Sequence, residues 1–170
     1  MTGVIGQAAK LGMIGKQTFA ALAMRVNHVD QLGLPTTQGM MLTEAFYWDL
    51  NEATRAWSKR YFERVRKMPN SLQAGVYSST VHYLQAVAKA GTDATEPVVA
   101  AMRSAPINDF FAQDGHIRAD GVMVHDMYLF QVKPPADSRG PWDYLRLVTT
   151  MPGSQVFGPL SQSKCPLVTR

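Results

Sequence analysis

Residues Gly39 to Asp49, GMMLTEAFYWD, constrain the chain more than any other stretch. A short apolar run passes into three consecutive aromatics, Phe46, Tyr47 and Trp48. It ends at a helix start, where Asp49 can cap and Glu52 can reach back as in a capping box. A strand that hands over to a long amphipathic helix through an aromatic cluster marks a crossing between two layers or lobes. Three adjacent rings serve core and hinge packing as readily as a ligand wall, and packing is the first reading.

The elements around this stretch follow from patterning. Val4 to Leu11 reads as the end of a helix, stopped by Gly12, with Gly15 opening a turn. Thr18 to Met24 is an apolar run of strand length, expected to be buried on both faces. Arg25 to Asp30 then sets polar groups just past its C-terminal end, the position where open α/β sheets bind ligands. Gln31 to Thr36 is read as a loop and Gln38 to Thr43 as a second strand. This order predicts an α/β protein with a parallel sheet under covering helices.

Asn51 to Lys67 is the clearest helix, with Ala53, Trp57, Tyr61 and Val65 at four-residue intervals, Phe62 beside them, and a stop at Pro69-Asn70. Gln73 to Ala90 is a second helix, whose apolar face is read from Val76, Tyr77, Thr80, Val81, Leu84, Val87 and Ala88. A third starts near Thr95 and ends before Pro106. His116 to Ala119, the turn Asp120-Gly121 and Val122 to Val132 read as a β-hairpin. A polar loop with three prolines follows from Lys133 to Pro141, then a strand from Tyr144 to Met151. The tail from Gly158 shows no usable periodicity.

Composition narrows the class. The 170 residues suffice for a hydrophobic core, and 46% hydrophobic with 18% charged residues excludes disorder and collagen-like repeats. No run is long enough to span a membrane. Phe19 to Met24 is too short for a signal-peptide core, so the visible N-terminus is read as carrying no export signal. The net charge of +4 raises nucleic acid as a partner, but six of the basic residues, Arg55, Lys59, Arg60, Arg64, Arg66 and Lys67, belong to one helix. The aromatics of that helix lie on another face and do not interleave with the cations for base stacking, so the cations are read as a solvated face and no nucleic-acid partner is expected.

Catalytic signatures are missing. There is no Walker A loop, Gly-x-Gly-x-x-Gly, His-Glu-x-x-His or Gly-x-Ser-x-Gly, and the four histidines lack metal-ligand spacing. His125-Asp126 would place its two side chains on opposite faces of a strand. The chain is therefore expected to be no enzyme, with no catalytic residue, metal or cofactor. A binding site is easier to build: Asn27, His28 and Asp30 supply polar groups and Phe46, Tyr47 and Trp48 apolar walls, the mixture found in small-molecule pockets. Loop capping is the competing role for the polar three.

A set of motifs then becomes recognisable: Leu42 to Asn51 (LTEAFYWDLN), Gln73 to Ser79 (QAGVYSS) leading to Lys89-Ala90-Gly91, Ile117 to Gly121 (IRADG), Met127 to Phe130 (MYLF), Gly140 to Tyr144 (GPWDY) and Cys165 to Val168 (CPLV). Together they resemble the periplasmic substrate-binding proteins of branched-chain amino-acid type ABC transporters, in the branch linked to amides, urea or aromatic acids. That resemblance implies part of a type I periplasmic-binding fold, two α/β lobes that close on a ligand, plus a C-terminal β-hairpin. It covers the family's C-terminal portion only: residues 1–48 as the end of the second lobe, 49–130 as helices and hairpin returning to the first, and 131–170 as a C-terminal strand and tail.

The resemblance further implies a small amino acid, amide or carboxylate as solute, an ABC permease as partner and a periplasmic location. Asn27, His28 and Asp30 would meet the ligand's polar head, Phe46 and Tyr47 would border the hinge, and Gln73 with Tyr77 would face the cleft from the first lobe. Cys165 resembles a cysteine that pairs with the family's N-terminal lobe, and the single cysteine here has no such partner. Without that lobe's strands, the helices over 51–67 and 73–90 lose the sheet they would cover. A homo-oligomer, a partner chain or a rearranged fold is then expected, the alternative being a truncated, self-associating α/β protein that has lost ligand capture.

Overall fold

The structure is a computed structural model and describes residues 2–166 and 168. The chain divides into two compact units, one formed by Met1–Ser71 with Tyr128–Thr150, the other by Leu72–Met127 with Met151–Arg170.

The first unit is an α/β layer around a four-stranded sheet of order β1-β2-β5-β6. Its elements are α1 (Thr2–Lys10), β1 (Ala20–Ala21), α2 (Val26–Leu32), α3 (Leu34–Thr37), β2 (Met41–Glu44) and α4 (Glu52–Val65). After the excursion into the second unit, β5 (Met127–Val132) and β6 (Leu145–Met151) complete the sheet. The α/β expectation holds, but the sheet is mixed: β1 and β2 pair in parallel, Ala20 opposite Met41, whereas β2 and β5 are antiparallel, Leu42 opposite Phe130. Ile5, Met24, Val26, Val29, Leu42, Tyr47, Phe130, Val132 and Leu145 form one buried cluster around it.

Three readings are corrected here. The Thr18 to Met24 run is not a strand buried on both faces: β1 has two residues at the sheet edge, and Leu22 is 88% exposed. An edge strand has one neighbour, so apolar length alone does not bury it. Most of the expected Gln31 to Thr36 loop lies in α2 and α3, and α2 already begins at Val26 within the polar stretch Arg25 to Asp30. The cap of α4 is Asn51, not Asp49. Asn51 Oδ1 accepts from Thr54 N at 2.9 Å and Thr54 Oγ1 accepts from Asn51 N at 2.9 Å, a reciprocal box two residues beyond the expected one. Asp49 instead pairs with Arg55 and Arg139, both at 3.1 Å. The basic residues of α4 are exposed, as a solvated face requires.

The second unit contains α5 (Ser71–Ala90, from Leu72), α6 (Thr95–Ser104), the hairpin strands β3 (His116–Ile117) and β4 (Met123–Val124), and α7 (Gly153–Val156). The hairpin turns at Gly121, whose φ of 82° is the positive value a tight turn requires. The expected strand from Val122 to Val132 is broken at His125-Asp126, where Asp126 Oδ1 accepts the amide of Gly153 at 3.0 Å. β4 and β5 consequently belong to different sheets.

Helix α5 reverses its expected orientation. Its buried row is Ala74, Ser78, His82 and Ala86, at strict four-residue spacing, while Val76 is 66% and Leu84 57% exposed. Small residues win the inner face because the 107–115 segment approaches closely. Phe111 lies 3.6 Å from where a Cβ on Gly75 would sit, Ser78 Oγ donates to Asp109 at 2.6 Å, and His82 Nε2 lies 3.0 Å from the Met102 carbonyl oxygen.

The start of α7 is packed as tightly. A Cβ on Gly153 would stand 2.8 Å from the His125 carbonyl oxygen and 2.8 Å from Val124 Cγ1. Gly153→Ala is expected to destabilise the protein by about 1–3 kcal/mol through overpacking. Urea unfolding followed by far-UV circular dichroism checks this, and an unchanged midpoint would refute it.

Candidate functional site

The first unit gathers polar groups where β2 ends and α2 begins. Met41–Glu44 alternates in burial, and the pleat turns Leu42 and Glu44 inward. Glu44 is only 5% exposed. Burial pushes its carboxyl up from the ordinary 4.5 to about 7, against a hydrogen bond from Ser71 and the charge of Arg25, which act the other way. Arg25 Nε lies 4.0 Å from Glu44 Oε1 and, among the described residues, is a buried nitrogen without a hydrogen-bond acceptor. Asn70 Nδ2 donates to Asn27 Oδ1 at 2.9 Å, so the chain neighbours Asn70 and Ser71 reach Asn27 and Glu44 respectively.

The expected site residues fall into three sets. Asn27 and Asp30 are exposed on α2, and Asp30 accepts the Tyr144 hydroxyl at 2.7 Å. His28 accepts the Arg25 amide on Nδ1 at 3.0 Å, the capping role that competed with binding. Phe46 and Tyr47 are buried: Phe46 packs edge-on against Trp57 at 5.7 Å, and the Tyr47 hydroxyl donates to the Trp142 carbonyl at 2.7 Å. The same hydroxyl accepts from Tyr144 N at 3.1 Å and Leu145 N at 3.3 Å. Burial raises it to about 12, so it stays protonated. Through Tyr144, Asp30 and Tyr47 belong to one network.

Gln73 and Tyr77 belong to α5 in the second unit, where both are exposed and Tyr77 meets Phe110 edge-on at 5.8 Å. A cavity of about 330 Å³ in that unit holds neither. It is lined by Gln113, Asp114, His116, Val124, His125, Asp126, Pro152, Gly153 and Ser154. His125 stands between Phe111 and Phe157 at 5.2 and 5.3 Å, and its Nδ1 lies 2.8 Å from the backbone oxygen of Asp126. The Asp126 carboxylate serves Gly153, so the pair makes no base and orienting acid. Among the described residues no three His, Cys, Asp or Glu side chains gather to hold a metal. No helix among them is long and apolar enough to cross a membrane.

Glu44, Asn70, Ser71 and Tyr144 escape pattern reading. A glutamate at the end of an apolar strand is the one local signal, and Asn70 read only as a helix stop.

Because the folded state holds the Glu44 proton more tightly than the unfolded chain, stability is highest below pH 4.5 for this group and falls as pH rises towards 7. The full loss is about 3 kcal/mol. Glu44→Gln is expected to remove this fall between pH 5 and pH 8 in urea unfolding. A variant that keeps the wild-type slope would show that Glu44 ionises freely.

Known proteins share this architecture. The family model described as "Periplasmic binding protein" matches residues 1–140. A periplasmic binding protein from Burkholderia mallei is 45% identical, with a TM-score of 0.92 over 99% of this chain and 44% of its own. A branched chain amino acid ABC transporter periplasmic ligand-binding protein from Burkholderia xenovorans LB400 is 34% identical, with a TM-score of 0.88 over 98% of this chain and 45% of its own. An amino acid ABC transporter substrate-binding protein from Pseudomonas fluorescens Pf-5, 18% identical with a TM-score of 0.82, shares the fold. The chain thus spans under half the length of these relatives. Among curated proteins none matches. With its α/β units, its mixed sheet and a family match over residues 1–140, the chain belongs to the periplasmic binding protein family.

Proposed function

We propose that this chain is a solute-binding component, or part of one, of an ABC uptake system, and that it binds a small amino acid, amide or carboxylate without catalysis. The observation that carries the reading is the 45% identity to a periplasmic binding protein along 99% of the chain. The polar group at the start of α2 supports it: Asn27 and Asp30 are exposed yet held in place by Asn70 and Tyr144. In this proposal Asn27, His28 and Asp30 meet the solute's polar head, Phe46 and Tyr47 border the hinge, and Gln73 and Tyr77 contribute from the other lobe. Residues 1–48 end one lobe, 49–130 return to the other and 131–170 form the closing strand and tail. The periplasm is the proposed compartment and an ABC permease the partner.

A thermal-shift panel of aliphatic amino acids, amides, urea and aromatic carboxylates tests it, because a ligand that binds only the folded state stabilises it by RT ln(1 + [L]/Kd), about 2.7 kcal/mol at a hundredfold excess over Kd. One chemical class is expected to raise Tm. If that class carries an ammonium group, Asp30→Asn, which keeps an acceptor for Tyr144, is expected to weaken it about tenfold at unchanged apo stability. A flat panel from a cooperatively melting protein would overturn the reading. A second reading, a self-associating α/β chain that has lost ligand capture, is favoured by the exposure of Val76 and Leu84, and light scattering of the chain alone tests it.

A further inference from the structure

The net charge of this sequence sits in one place. Between Lys59 and Lys67 there are five cations, Lys59, Arg60, Arg64, Arg66 and Lys67, against one carboxylate, Glu63, a local charge of +4. The whole sequence carries +4, so everything outside these nine residues is neutral in sum. All five cations are exposed, on the last turns of α4 and the two residues that follow. Lys59, Arg64, Arg66 and Lys67 make no ion pair among the described residues. A helix dipole does not account for the cluster, because its pull on cations falls off within the last turn and Lys59 and Arg60 lie before it. Arg66 has a φ of 62°, a left-handed C-cap where glycine fits without strain, and a cation occupies it instead. Lysine and arginine are almost never fully buried unless paired, so this surface stays in water whatever packs against the apolar faces of the chain.

The neighbouring side chains say which polyanion fits. Trp57 is 7% exposed and its ring lies 5.6 Å from that of Tyr61, so the helix keeps its tryptophan inward and offers no stacking platform for bases. The cations are spread over about 10 Å of helix and the two residues beyond it, which suits an extended array of negative charge better than one small anion. Val65, within the cluster, is 47% exposed and adds the apolar contact that a headgroup boundary accepts. We propose that the C-terminal end of α4, with Arg66 and Lys67, is a docking surface for an anionic phospholipid membrane. Each cation close to such a surface strengthens binding about fivefold, so the cluster holds where a single charge does not. The choice of a membrane rests on the uptake reading above, since a protein that hands solute to a permease works beside a bilayer.

Co-sedimentation of the protein with phosphatidylglycerol-containing vesicles, against pure phosphatidylcholine vesicles, tests it at low and high salt. Binding to the anionic vesicles alone is expected, weakening as salt rises. K59Q/R64Q/K67Q is expected to bind at least about tenfold more weakly with an unchanged circular dichroism spectrum, while K10Q/K16Q/K164Q, which removes the same charge from other exposed positions, stays within about twofold of wild type. Absence of binding to anionic vesicles overturns the proposal. Equal losses in the two triple variants also overturn it, because overall charge would then decide. Tighter retention on duplex DNA or on polyglutamate at the same salt assigns the surface to a nucleic acid or an acidic polypeptide and overturns it as well. A flat solute panel beside vesicle binding that K59Q/R64Q/K67Q abolishes would remove solute capture and leave the docking surface standing.

Discussion

The carbonyl oxygen of Trp142 receives two donors, the Tyr47 hydroxyl at 2.7 Å and the Trp48 indole nitrogen at 2.8 Å, and the first unit depends on that clamp. Trp142 has a φ of 71°, a region costly for a residue with a side chain and stable only where neighbours over-determine it. The clamp supplies that constraint. Having donated once, the Tyr47 hydroxyl accepts the amides of Tyr144 and Leu145, which fixes where β6 starts and frees the Tyr144 hydroxyl to reach Asp30 on α2. One phenol thereby joins the end of β2, the origin of β6 and the exposed face of α2.

Charge completes the same junction. Burial alone would raise the Asp143 carboxyl, but hydrogen bonds from Arg139 and Lys133 outweigh it and hold the group at about 2. Arg139 also reaches Asp49, which in turn meets Arg55 of α4. The proline-rich segment from Lys133 to Pro141 is therefore tied down by ionic contacts at both ends of its span and does not depend on a regular element of its own. Glu44 is the contrasting carboxylate. Asp143 has two close cationic partners, whereas Glu44 faces an arginine nitrogen at 4.0 Å, so desolvation decides one and hydrogen bonding the other.

Local grammar was legible in the sequence where the chain had few alternatives. The helix over Asn51 to Lys67, its end near Pro69, the Asp120-Gly121 turn and the short third helix all appear close to their expected bounds. Facing was harder to read. On α5 apolar patterning points to Val76, Tyr77 and Leu84 as the inner row, whereas the buried row is Ala74, Ser78, His82 and Ala86 because a loop with Phe111 and Asp109 packs there. For Thr18 to Met24, hydrophobicity stood in for burial, but a place at the sheet edge leaves Leu22 in solvent. Of the residues proposed for binding, Asn27 and Asp30 are on the surface, while Phe46 and Tyr47 are buried, one packed on Trp57 and the other bonded to backbone. What patterning could not supply were partners more than ninety residues away, such as Tyr144 and Trp142 for Tyr47 and Trp48.

The aromatic clamp has a spectroscopic consequence. All three tryptophans, Trp48, Trp57 and Trp142, lie in the first unit, and the second has none. Indole emission from this protein therefore reports the melting of one half of the chain, with Trp48 and Trp142 sensing the clamp itself, while the other half stays dark and is visible only through its helical dichroism. Coincidence of those two signals is the criterion for a single cooperative transition, so the placement of three rings makes the chain its own two-channel gauge of whether its halves unfold as one.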